Sequence, residues 1–303
     1  MLITRMSGGL ANQTFQYIFS RYLEETTKSR VFIDNSRFDE FKAHNGHELE
    51  YVFPNIKKSL LFSEYFKSDI WREMITKIKT ANITVAQQLL RAGMDLTMLV
   101  EYRDINSAGK FTGKILRTPP YKYNSAVAKI PGNIYYAGYW INSGWFNAYK
   151  DILLKELSFR PINNARNKLF ENEICRSQSI GIHIRRGDYI KLNWALPESY
   201  YYCVISSLSK QYPNATYFIF SDNIEWCKQN AMPLGFIKKQ TIFIEGNYDY
   251  KNNYIDLLLM TLCKKLVVGV SSFGYLAAIL NEVPGFQAIH TKNIFENDIQ
   301  KPL

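Results

Sequence analysis

His183, Arg185, Arg186 and Asp188 crowd the end of a run of β-formers, Ser179-Ile-Gly-Ile-His-Ile184. A strand that closes on paired guanidiniums carries fixed positive charge to the carboxyl edge of its sheet, the edge at which open α/β sheets bind ligands. Arginine keeps its charge at any working pH, and its planar fork takes phosphate oxygens through parallel charge-assisted hydrogen bonds. The spacing therefore predicts a phosphate clamp built from Arg185 and Arg186. Asp188 stands where it can orient the arginines or Tyr189.

Other junctions share the form of strand, small polar turn and helix start. Ser7-Gly8-Gly9-Leu-Ala-Asn12 offers backbone N–H groups and the positive end of a helix dipole, a setting for an anion or a polar ligand. Phe218-Ile-Phe-Ser-Asp222-Asn223 ends a buried run in an acid that either accepts from a base or ribose or helps to cap the next helix. Leu266-Val-Val-Gly-Val-Ser271-Ser272-Phe273 brings hydroxyls and N–H groups to another helix start, again a setting for phosphate. In the first part of the chain Asp34 closes the short run Val31–Asp34 and is the acid chosen there to deprotonate an acceptor hydroxyl.

Elements able to hold these turns follow from the periodicity. The first half opens with a strand at Leu2–Met6 and a helix from about Gln13 to Lys28, whose apolar residues Phe15, Ile18, Phe19, Tyr22 and Leu23 recur at helical spacing. Helical spacing continues from Ser63 to about Leu99, followed by an aromatic strand at Asn133–Trp140 and a helix from Trp145 to Leu157. The second half alternates more regularly. Strands at Ser179–His183, Thr216–Phe220, Thr241–Ile244, Leu266–Gly269 and Gln287–His290 are separated by helices at Glu198–Lys210, Asn223–Asn230, Tyr254–Cys263 and Phe273–Leu280. Such alternation predicts a parallel, doubly wound sheet. Pro161-Ile-Asn-Asn is a polar turn between the halves, giving domains 1–160 and 161–303.

Composition narrows the classes. A chain of 303 residues with 47% apolar composition can bury one large core or two ordinary ones. No run approaches the ~20 apolar residues that span a bilayer, and the N-terminus reads as a strand entering a turn rather than a signal peptide. Cys175, Cys203, Cys227 and Cys263 lack ligand or redox spacing and read as reduced, mostly buried thiols of a cytosolic protein. The net charge of +10 calls for an anionic partner. Zinc-finger spacing, basic heptads and an RNA-binding aromatic signature are missing, so nucleic acid is disfavoured; a nucleotide-sugar and an acidic membrane face fit as well. His44, His47 and His290 lack ligand spacing and read as surface or capping residues.

Gly8-Gly-Leu-Ala-Asn12-Gln-Thr-Phe15-Gln-Tyr17, His183-Ile-Arg-Arg-Gly-Asp-Tyr189, Phe218-Ile-Phe-Ser-Asp-Asn-Ile-Glu-Trp-Cys227 and Asp256-Leu-Leu-Leu-Met-Thr-Leu-Cys-Lys264, in that order, resemble the bacterial α-1,2-fucosyltransferases of surface-glycan synthesis, glycosyltransferase family 11. The His-x-Arg-Arg-Gly-Asp-Tyr block is shared with their α-1,6 and protein O-fucosylating relatives. Gly138-Tyr-Trp140 matches a further block, and Asp34 falls where the family has an acid. The resemblance implies a GT-B-like α/β fold of two Rossmann-like halves facing a central cleft, with the acceptor on the first half and GDP-fucose on the second. It implies fucose transfer with inversion, O2 of a β-linked galactose as acceptor, and neither metal nor cofactor. It also assigns Arg185 to the β-phosphate, His183 and Asp222 to guanosine, and Asn12, Ser272 and Phe273 to the donor site; Gly9, Asp188 and Ser271 join them through the turns described above.

The absence of metal has separate sequence support, because no Asp-x-Asp pair occurs in the chain. Charge on the departing diphosphate would then fall to Arg185 and Arg186. The expected partners are GDP-fucose and a galactose-terminated or lipid-linked glycan, with no nucleic acid. The expected location is the cytoplasm, with peripheral contact at the inner face of the plasma membrane through the basic surface. Asn223 in place of a second acid, and Phe273-Gly-Tyr-Leu-Ala in place of Phe-Ser-Trp-Trp, depart from the family. A fucosyltransferase of another linkage and a non-catalytic GDP-sugar or glycan-binding protein are the competing readings.

Overall fold

Strands buried on both faces need no polar alternation, and short apolar runs such as Leu2-Ile-Thr-Arg5 and Ser179–Ile184 are buried throughout. In the computed structural model these runs are interior strands of two five-stranded parallel sheets. The structure describes residues 1–39, 45–61, 84–101, 111–236, 240–247, 249 and 251–290. The chain divides into two compact units, Met1–Arg160 and Pro161–Leu303.

The first unit runs β1 (Leu2–Arg5), α1 (Leu10–Thr27), β2 (Val31–Asp34), α2 (Leu49–Val52), α3 (Val85–Arg91), β3 (Leu96–Glu101), β4 (Lys114–Thr118), β5 (Asn133–Ala137), α4 (Ser143–Asn147) and α5 (Lys150–Glu156). Its sheet order is β2-β1-β5-β3-β4. Ile3, Phe32, Met98, Val100 and Tyr135 pack with α3 into one core cluster. Phe19 of α1 lies flat on Trp140, with centroids 4.0 Å apart and planes 9° apart, and meets Trp145 edge-on at 5.0 Å.

Some sequence expectations change here. Leu96–Glu101 is a strand, not the end of a helical stretch that runs to about Leu99. Gly93, at φ +86°, stops α3 in a conformation that L side chains rarely adopt, and the β-prone Leu96–Val100 run pairs with β4 and β5. Lys114–Thr118 adds a strand that sequence spacing did not reveal. The Trp145–Leu157 helix is broken, because Tyr149 leaves helical geometry at φ −140°, ψ 39° and starts α5 with Asp151 in its first turn. The helical spacing read over residues 63–83 lies outside the described residues.

The second unit runs α6 (Ala165–Arg176), β6 (Ser179–Ile184), α7 (Gly187–Lys191), α8 (Glu198–Gln211), β7 (Thr216–Ser221), α9 (Ile224–Gln229), β8 (Thr241–Phe243), α10 (Asn253–Thr261), β9 (Lys265–Val268), α11 (Ser272–Ile279) and β10 (Gln287–His290). Its sheet order is β10-β9-β6-β7-β8. The chain proceeds from β6 outward through β7 and β8, then returns to place β9 on the other flank of β6. That reversal leaves a crevice at the carboxyl ends of β6 and β9, where open α/β sheets bind ligands. Cys227 and Cys263 are buried but Cys175 and Cys203 are exposed, so the expectation of mostly buried thiols holds for only half of them.

Candidate functional site

At the β6/β9 crevice, His183 and Arg185 from the end of β6 face Gly269, Val270 and Ser271 from the end of β9, and Tyr189, Trp194, Leu196 and Tyr201 complete the hollow. Ser271 caps α11, its Oγ accepting from the Phe273 N–H at 3.3 Å. Ser272 opens the helix, so an anion in the hollow would meet both a guanidinium and the positive end of α11.

Arg185 is held by two carboxylates. Its Nε and Nη2 donate to Asp188 Oδ1 at 3.2 and 2.8 Å, and its Nη1 lies 3.1 Å from Asp222 Oδ2. Asp222 Oδ1 accepts the backbone N–H of Arg186 at 2.8 Å. The cap of α9 falls to Asn223, whose side chain accepts from the Trp226 N–H at 3.1 Å. Asp222 is therefore not the cap of α9: its two oxygens reach the arginine turn.

Arg186 departs from the expected clamp. Successive side chains at a strand end alternate in direction, and the Arg186 guanidinium stacks over the Trp226 ring, 3.3 Å from its centroid, while Arg185 lines the hollow. Of the two guanidiniums, that of Arg185 lines the hollow.

His183 is buried beside Arg185, and its Nδ1 has no hydrogen-bond partner. Burial, and secondarily the Arg185 charge, pushes the imidazole down to about 3, so it is neutral at physiological pH. Gly274 makes this packing possible, since a Cβ there would lie 2.8 Å from His183 Nδ1. Phe273 leans against the imidazole with centroids 5.9 Å apart.

In the first unit the Ser7–Gly9 turn is braced from within. Gly8 adopts φ +82°, and a Cβ there would lie 2.7 Å from Asn12 Nδ2. Gln13 Nε2 donates to the Gly8 and Gly46 carbonyls, both at 2.9 Å, and Gln16 Oε1 accepts the Ser7 N–H at 2.8 Å. Gln16 Nε2 donates to the Gly138 carbonyl at 2.9 Å. The amide of Gln16 thus spans the reversal point of this sheet, between β1 and β5. Gly9 and Asn12 start α1, which has no side-chain cap.

Asp34 does not have the surroundings of a free general base. It is 3% exposed, and its carboxylate accepts from the Ser36 N–H and hydroxyl at 3.0 and 2.6 Å and from the Tyr135 hydroxyl at 2.7 Å. These contacts fasten the end of β2. His47 is half-buried and packs on Phe38 rather than lying on the surface; burial pushes it down to about 4. His290 is also half-buried, edge-on to Tyr275 at 6.3 Å, and His44 lies outside the described residues.

Sequence reasoning passed over Trp194, Leu196, Tyr201 and Trp226. The available signal for Trp194 was a large aromatic just past the motif, where Ile190, Leu192 and Trp194 are 50, 48 and 52% exposed. Among the described residues no group of His, Cys, Asp or Glu side chains could hold a metal ion, and no helix is long and apolar enough to cross a membrane.

The sequence profile of glycosyl transferase family 11 matches residues 115–301. An alpha-1,2-colitosyltransferase of Escherichia coli is 28% identical over 289 residues, covering 92% of this chain and 87% of its own length. The O-antigen biosynthesis glycosyltransferase WbnK of the same species is 22% identical, with 91% and 89% covered. Among solved structures, the NodZ alpha-1,6-fucosyltransferase soaked with GDP-fucose superposes with a TM-score of 0.51 at 14% identity, covering 94% of this chain and 95% of that one. This is likeness of fold, of the GT-B-like α/β kind.

Proposed function

The chain belongs to glycosyl transferase family 11, and from that premise we propose that it is an inverting, metal-independent fucosyltransferase that moves fucose from GDP-fucose to O2 of a β-galactoside in a surface glycan such as an O-antigen. The observation that carries this reading is that Arg185 and Ser271, the N-cap of α11, line the same hollow. Phosphate oxygens need fixed donors of this kind, and a guanidinium supplies them without proton exchange. The α-1,2 linkage and the O-antigen setting come from the names of the two relatives.

In the proposed step the acceptor oxygen bonds to C1 of fucose as the C1–O bond to GDP breaks. The acceptor's proton passes to a base, and the bonding pair leaves with the β-phosphate. Arg185 and the α11 N–H groups hold the charge that gathers on the departing oxygen. That is the task a divalent cation performs elsewhere, and the chain has no Asp-x-Asp pair to hold one. His183, neutral and buried, shapes the floor of the hollow without adding charge. Arg186 sets the turn through Trp226 rather than touching phosphate. A lipid-linked acceptor would bring the protein to the inner face of the plasma membrane, where a net charge of +10 suits anionic lipid.

The test is transfer from GDP-fucose to β-galactosides in the presence of a chelator, with the product linkage read by NMR. Arg185→Ala should lower kcat by about 10²–10³-fold, the usual cost of removing one transition-state donor, and leave the melting temperature close to wild type. Near-normal turnover by that variant, or loss of activity on chelation, would refute the assignment. Because the relative at 28% identity is named a colitosyltransferase, a colitosyl donor is the second reading; a competition between the two donors decides it.

A further inference from the structure

We propose that Asp222 is a positioning residue for the diphosphate, acting only through Arg185 and making no contact with the nucleoside; this rests on the reading of the hollow as the donor site. Ser221 pairs in register with Ile184, so the residues that follow, Asp222 and Arg185, stand side by side at the ends of β7 and β6. From that neighbouring strand Asp222 reaches the arginine turn at two points. Oδ1 takes the Arg186 N–H at 2.8 Å, and Oδ2 lies 3.1 Å from Arg185 Nη1. A third observation agrees: a Cβ on Gly187 would lie 2.5 Å from Asp222 Oδ2, so the glycine leaves room for this carboxylate.

The two carboxylates on Arg185 are not equivalent. Asp188 holds the Nε–Nη2 edge through one oxygen and its side chain is 52% exposed. The Asp222 side chain is 22% exposed and is tied to the backbone as well as to the guanidinium. The Nε–Nη2 edge is the one that presents two parallel N–H bonds, the geometry a phosphate matches. A diphosphate therefore exchanges with Asp188 for that edge, while Asp222 keeps Nη1 and the turn in place. Because the fork is rigid, fixing one nitrogen and the adjoining backbone fixes the direction of the other two.

Calorimetric titration of GDP and of guanosine into wild type, Asp222→Asn, Arg185→Ala, the double variant and Gly187→Ala tests this. Asp222→Asn retains an oxygen for the Arg186 N–H and should fold. It should weaken GDP about ten- to hundredfold, the cost of a charged hydrogen bond, and change guanosine less than about twofold. On the Arg185→Ala background it should add no further loss, because its effect runs through the missing guanidinium. Gly187→Ala should reproduce the selective loss of GDP by displacing the carboxylate. Equal losses for guanosine and GDP, or additive losses in the double variant, would overturn the proposal and return Asp222 to the nucleoside. A wild-type protein that binds guanosine and GDP equally, or neither, would instead overturn the donor reading itself.

Discussion

His183 and Asp256 are titrating groups of the second unit with opposite effects on stability. Burial pushes His183 down to about 3, whereas an unfolded histidine titrates near 6.5. As the pH falls below about 6.5 the unfolded chain takes a proton that the folded chain refuses, so this group's contribution is lost on the acid side. Asp256 is the reverse. Burial raises it to about 7, against the pull of the Asn247 hydrogen bond and the Arg166 charge. Between roughly pH 4 and 7 an unfolded aspartate has ionised while the folded one keeps its proton, so stability is lost as the pH rises through that window. Asn247 donates to Asp256 Oδ1 at 2.7 Å, a bond an asparagine oxygen would accept equally well. Asp256→Asn should therefore melt higher than wild type at pH 8 and nearly level with it at pH 4, whereas His183→Gln should flatten the acid-side loss. Thermal melts across pH 4–8.5 check both, and an Asp256→Asn curve parallel to wild type would refute the burial argument.

At the scale of elements, glutamines and a glutamate do work that strands and helices cannot do alone. Gln16 closes the β1/β5 reversal, and Glu101 at the end of β3 accepts the N–H groups of Tyr121, Tyr139 and Trp140 at 3.1, 2.7 and 3.0 Å. That grip holds Trp140 at φ +56°, and Gly138 leaves room for it, a Cβ there meeting Glu101 Oε2 at 2.6 Å. Gln16→Leu leaves the Ser7 N–H and the Gly138 carbonyl without these partners, at a cost of about 1–3 kcal/mol for each buried group. The expected result is a stability loss of about 2–6 kcal/mol in denaturant titration, with GDP affinity unchanged; a loss under about 0.5 kcal/mol would mean water replaces the amide. These braces were illegible in the sequence because their partners are backbone groups far along the chain, Gly138 lying 122 residues from Gln16. The strands of the second unit were legible for the opposite reason. Runs such as Tyr217–Phe220 and Leu266–Val268 are apolar on both faces and bounded by polar turns. β3 was misread because Leu96–Val100 continues the apolar spacing of α3, and only the backbone of Gly93 separates them. Arg185 lines the hollow because it follows the end of β6. Arg186 stacks on Trp226 instead, because adjacency in sequence is not adjacency in direction.

Across the whole molecule, each unit carries its own parallel sheet and its own core, one built on Met98, Val100 and Tyr135 and the other on Ile182, Ile219 and Val267. The response of each unit to a ligand can therefore be read separately. A ligand that binds only the folded form stabilises it by about 2.7 kcal/mol when present at a hundred times its Kd. If the diphosphate lies at the β6/β9 crevice, that stabilisation enters through the second unit. Amide exchange measured with and without GDP should slow at Ile180–Ile184, at Phe220 and Ser221 and along the first turn of α11, while the β3 and β5 core of the first unit keeps its rates. The same titration carries an electrostatic signature. With a net charge of +10, association of an anionic nucleotide should slow as ionic strength rises and the Debye length shrinks. Arg185→Ala should remove the exchange protection at β6 but leave most of that long-range salt dependence, because one cation among many is lost. Slowed exchange confined to the β3 and β5 core, with β6 unchanged, would move the donor to the other sheet and leave Arg185 without its assigned task.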